Sequence, residues 1–106
     1  GGGGGFLHSV IAFVYSEVVF SAKILNDLGL LMTQKQEFEG AKRYFVEALK
    51  VLAPSSTTNG NAHLEAVINQ NLGAVFNFQL KFDEAIKRHT KAKHLYGKYF
   101  DLISHI

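Results

Sequence analysis

The chain has 106 residues, of which 47% are apolar and 19% charged, with a formal net charge of +2 and no cysteine. That length suits one small domain, and that composition argues against disorder. So small a net charge gives no electrostatic footprint for nucleic acid or a membrane surface, and the lack of cysteine excludes disulfides and thiolate metal sites.

Residues 1–5 are all glycine. Glycine loses the most backbone entropy on being fixed, so this stretch is read as a flexible leader and set apart from the fold. The apolar run over 6–15 has the look of a signal-peptide core, but no basic residue precedes it, and Glu17 and Lys23 follow within a helical pattern. A packed helix is the preferred reading. A membrane span is disfavoured further, since it needs about 20 mostly uncharged residues. Apolar residues then recur at helical spacing: Ile24, Leu28 and Leu31 on one face, and Phe38, Ala41, Phe45, Ala48, Leu49 and Leu52 on another, with the polar stretch 33–37 between them. The pattern predicts a helix over about 7–34, with an interruption allowed near Tyr15 and Glu17, and a second over about 38–53.

Pro54 stops the second helix, because proline lacks an amide donor and disfavours helical geometry in the residue before it. The Ser, Thr, Asn and Gly residues over 55–61 form a polar loop, in which Asn59 or Asn61 can cap the next helix. A third helix is expected over about 62–79. A fourth is expected from near Asp83, an acid suited to a helix N-terminus, to about Tyr99.

These helices carry a repeat. Leu28-Gly29, Phe38, Ala41 and Ala48 return as Leu72-Gly73, Phe82, Ala85 and Ala92, all at one spacing (73 − 29 = 85 − 41 = 92 − 48 = 44). Gly29 and Gly73 sit mid-helix, where glycine costs roughly 1 kcal/mol, so a closely approaching neighbour is expected there. The four alanines would let the second helix of each hairpin come close, and Phe38 and Phe82 would plug the turns. This pattern, over 26–54 and again over 71–97, resembles the tetratricopeptide repeat. The resemblance implies an all-α fold, with antiparallel helical hairpins stacked as a right-handed solenoid. It departs from the family in its 44-residue period, where 34 is usual, in Gln36 and Leu80 where a turn glycine is usual, and in Lys98 where Pro54 closes the first unit. The organisation expected is a leader at 1–5 and a helical extension, or the end of a preceding repeat, at 6–21. A first unit at 22–54, the polar loop, a second unit at 62–99 and the start of a third at 100–106 follow. Leu102, Ile103 and Ile106 would make that last segment a sticky end for self-association.

In this family the first helix of each unit lines a concave groove. The resemblance therefore implies a peptide-binding set of Lys23, Asn26, Asp27, Leu30, Thr33 and Gln34 in the first unit. In the second it implies Val67, Gln70, Asn71, Ala74, Asn77 and Phe78. Side-chain amides donate and accept at once, which suits an extended peptide, and Phe78 could receive an apolar anchor. The family's clamp for a C-terminal carboxylate is not expected, since Asn71 alone fits it.

Other chemistry is sparse. Lys87, Arg88, Lys91, Lys93, His94 and Lys98 form a basic stripe, read first as a solvated face and only second as a contact for nucleic acid. His89 and His94 are five apart, with no third ligand beside them, so no metal site is expected. His63 is read as a surface residue of a first helical turn. No nucleophile triad, phosphate loop or acid pair occurs. The expectation is a cytoplasmic, non-catalytic interaction module without cofactor or small-molecule substrate, binding a protein or peptide. The alternative is a structural spacer or self-associating repeat.

Overall fold

The computed structural model describes residues 2–53 and 61–105. They form four helices, α1 (Gly2–Gln34), α2 (Phe38–Leu52), α3 (Ala62–Phe78) and α4 (Phe82–Ser104), and no strand occurs among the described residues. Each helix packs on the next in chain order, while α1 touches α3 only slightly. The result is an elongated slab of 57 × 28 × 17 Å.

The two hairpin turns are built alike. The Glu37 amide donates to the Met32 carbonyl at 2.9 Å, and the Lys81 amide to the Phe76 carbonyl at 2.8 Å. Each reaches back five residues, the bond that closes a Schellman helix end. Such an end needs a left-handed residue, and Gln36 and Leu80 both take φ 62°. Both turns thus place a side-chain residue on backbone that favours glycine.

One core cluster joins Ala22 of α1, Ala41, Phe45, Ala48 and Leu52 of α2, and Ile68, Leu72 and Val75 of α3. A smaller cluster of Ala66, Ala92 and Leu95 ties α3 to α4. The mid-helix glycines have the neighbours their cost requires. A Cβ at Gly29 would stand 2.5 Å from the Phe45 ring, and one at Gly73 would stand 2.8 Å from the His89 ring. His89 thus packs against Gly73 within the second hairpin.

Several expectations are corrected. Helix α1 runs unbroken through Tyr15 and Glu17 and takes in Gly2 to Gly5. Its middle is held by the Tyr15 hydroxyl, which donates to Asn61 Oδ1 at 2.6 Å. A Cβ at Gly4 or Gly5 would meet nothing within 4 Å, so this turn of the helix stands clear of its neighbours. Helix α4 passes Tyr99 and absorbs 100–104, so those residues prolong it and do not begin another helix. Ring contacts tie this end down, with His63 against Tyr99 at 4.9 Å and against Tyr96 at 5.9 Å. Asn61 precedes α3 but makes no side-chain capping bond, its oxygen being engaged by Tyr15. Phe38 stacks on Phe78 at 5.2 Å, whereas Phe82 is exposed and plugs nothing. Pro54, Asn59, Ile106 and the rest of the polar loop lie outside the described residues.

The largest correction concerns which side of α1 is buried. The face packed against its neighbours runs through Val18, Ala22, Leu25, Asn26 and Gly29. Ile24 and Leu31 point away from it and are exposed. Within Gly4–Gln34 the most apolar 18-residue stretch has mean hydropathy 1.5, and 6% of it is buried. This helix is long and apolar enough to cross a membrane, a property that signal sequences and the core helices of soluble proteins share.

Candidate functional site

The twelve positions expected to line a groove divide between α1 and α3, and a pair of side-chain amides joins the two helices. Asn71 Nδ2 donates to Asn26 Oδ1 at 2.9 Å. Asn26 is buried and Asn71 half-buried, so this bond crosses between helices where solvent competes little. It is one of the few contacts between α1 and α3.

Around this bond the structure sorts the remaining positions. Lys23, Asp27, Leu30 and Gln34 of α1 are exposed, as are Asn77 and Phe78 of α3. None of their polar side chains forms a hydrogen bond or ion pair with another described residue. Gln70 is exposed, but its Oε1 already accepts from the Tyr96 hydroxyl at 3.0 Å. Its amide hydrogens remain available as donors. Thr33 is turned inward, its hydroxyl donating to the Gly29 carbonyl at 2.8 Å. Val67 and Ala74 are half-buried and line the surface without polar chemistry. Phe78 lies flat on Phe38, leaving its other face exposed.

Next to this surface lie bonds between helices that motif reading missed. Asn69 is buried, donates to the Glu65 carbonyl at 2.9 Å and accepts from Arg88 at 3.3 Å. At the far end Gln79, just past α3, donates to Glu39 of α2 at 2.8 Å. That bond, with Lys42 beside it, holds the Glu39 carboxyl below its ordinary value. Burial pushes the Glu65 carboxyl above its ordinary value, against the opposing pull of Lys91 and Lys98. The helical register of Asn69 was the one available signal, since it places an amide on a buried face.

Of the basic stripe all but Arg88 are exposed. Arg88 turns inward to Asn69, Lys87 pairs with Glu84 at 3.5 Å, and Lys91 and Lys98 face Glu65. Lys93 and His94 are exposed beside them. Among the described residues no three His, Asp or Glu side chains gather as metal ligands. On the other side of the first hairpin an open cleft of about 520 Å³ is lined by Leu25, Met32 and Gly40, with Arg43, Tyr44 and Glu47 among its other walls. No family model matches this chain, and neither a curated protein nor a solved structure matches it significantly.

Proposed function

We propose that the chain is a non-catalytic interaction module of tetratricopeptide-repeat type, stacked as a right-handed solenoid, which binds an extended peptide along α1 and α3. The observation that carries this reading is the hydrogen bond between Asn26 and Asn71. Exposed polar side chains lie on both joined helices, Lys23, Asp27 and Gln34 on one and Asn77 on the other, and Phe78 is exposed as well. An extended peptide offers alternating backbone donors and acceptors. Amide side chains match both, and a flat aromatic takes an apolar residue. Lys23 and Asp27, oppositely charged, would set direction by pairing with charges on the peptide.

Panning a library of linear peptides on the immobilised chain, then measuring the selected peptides by isothermal titration, tests this reading. Lys23→Ala and Asn77→Ala are the informative variants, because both positions are exposed and neither supports the fold. Each is expected to weaken binding about tenfold, the loss of one charged or well-placed hydrogen bond. Selected peptides that bind both variants as tightly as the parent would overturn the proposal.

A further inference from the structure

The outward side of α1 carries a pattern that the repeat buries elsewhere. Shifted by 44 residues, Phe20, Ile24 and Leu31 of α1 correspond to Leu64, Ile68 and Val75 of α3. In α3 these pack in the core, Ile68 and Val75 wholly and Leu64 in part. In α1 they stand open, on the side of the helix opposite Ala22. Phe6, Val10 and Phe13 carry the stripe on toward the N-terminus at helical spacing, with Phe6 75% and Phe13 65% exposed. A phenylalanine presents about 150–250 Å² of surface. At these exposures the six residues, with Leu7 and Val14 beside them, leave roughly 800 Å² open, one side of an ordinary protein–protein interface.

A second copy, lipid and a foreign helix could each cover an apolar stripe, and one residue separates them. Glu17 lies within the stripe, near the middle between Phe6 and Leu31, exposed and without an ion pair among the described residues. A second copy laid along the stripe brings two Glu17 carboxylates together. Parallel helices in register oppose them directly, and an antiparallel pair that seats Phe6 on Leu31 leaves them within one turn of each other. Like charges so placed disfavour both arrangements. Lipid fits no better, because a carboxylate is costly within hydrocarbon. The continuous run of α1 exposed on every side covers only 4–14, about 16 Å of helix against a hydrocarbon core about 30 Å thick. From Val18 onward the other side of α1 is packed on the core. We propose that the outer side of α1 docks an amphipathic helix of another protein, apolar along one face and carrying a Lys or Arg at the middle of that face to meet Glu17. Such a helix covers the stripe from Phe6 to Leu31 in about seven turns, or about 38 Å. The surface is separate from the one assigned to an extended peptide, since Lys23 lies off the stripe and Asn77 is on α3. Either inference can therefore fail without the other.

Two fluorescent helical peptides of about seven turns test it, alike except for the central residue of the apolar face, Lys in one and Glu in the other. Fluorescence anisotropy measures the binding of each, kept dilute, to the whole chain. The Lys peptide should bind about tenfold more tightly than the Glu peptide. Glu17→Lys should reverse that order, while Ile24→Glu and Phe13→Glu should weaken both peptides. Circular dichroism checks that each variant keeps its helix content. Peptides that bind the parent equally or not at all would overturn the proposal, as would an order that Glu17→Lys leaves unchanged. So would a parent whose mass rises to that of a dimer in sedimentation equilibrium, or one that floats with phosphatidylcholine vesicles. A second copy or lipid would then be what covers the stripe.

Discussion

At Leu80 an exposed side chain sits on left-handed backbone with nothing to compensate for it. An L-residue in that conformation costs roughly 1–2 kcal/mol. Leu80→Gly removes the cost but gives the unfolded chain more freedom, so the net gain should be about 0.5–1 kcal/mol. Gln36→Gly should act alike, since the two turns share their hydrogen bonds and dihedral angle. Urea midpoints that do not rise for either variant would contradict the strain. The mid-helix glycines behave oppositely. Alanine is the better helix former by about 1 kcal/mol, but at Gly29 its methyl would overlap the ring of Phe45, which is wholly buried. Gly29→Ala should therefore destabilise by about 1–3 kcal/mol. Gly73→Ala meets His89, only half-buried and able to swing outward. Its cost should be visibly smaller in the same denaturation series.

Whole helices respond to charge and bulk. The Glu65 carboxyl is raised above its ordinary value of about 4.5 by burial, so the folded state holds that proton more tightly than the unfolded one. The sign follows: this group favours folding most below the ordinary value, and the contribution is lost as pH rises through the raised one. Glu65→Gln should therefore be more stable than the parent at neutral pH and less sensitive to pH between mildly acidic and neutral conditions. Thermal melts across that range measure it. An unchanged pH profile would place the carboxyl in solvent. Ala48 lies wholly buried in the core shared by α1, α2 and α3. Ala48→Trp forces these helices apart at a cost of about 1–3 kcal/mol or more, read as a lowered melting midpoint.

Over the whole molecule, the contacts that set one helix against another are few and span long stretches of chain. Tyr15 reaches Asn61, 46 residues away, and Asn26 meets Asn71 across 45. Removing the first with Tyr15→Phe should cost about 1 kcal/mol while leaving helix content unchanged by circular dichroism. Helix positions were largely readable beforehand, because apolar period, turn residues and proline act within a few residues of one another. So was the demand for close approach at Gly29 and Gly73, since an interior glycine needs a reason to be there. The candidate site was readable only as a set of positions. That Gln70 is engaged by Tyr96, that Thr33 turns inward and that Asn26 spends its oxygen on Asn71 depend on the neighbouring helix.

The sequence alone determined four helices, two hairpins related by a 44-residue shift, and the places where each turn bends, because local hydrogen bonding and backbone preference decide those features. Only the tertiary structure decided which side of α1 is covered. Its two apolar faces look equally suited to a core when read along the chain. The difference arises because α2 can lie against only one of them, which leaves Phe20, Ile24 and Leu31 in solvent while their counterparts on α3 are covered.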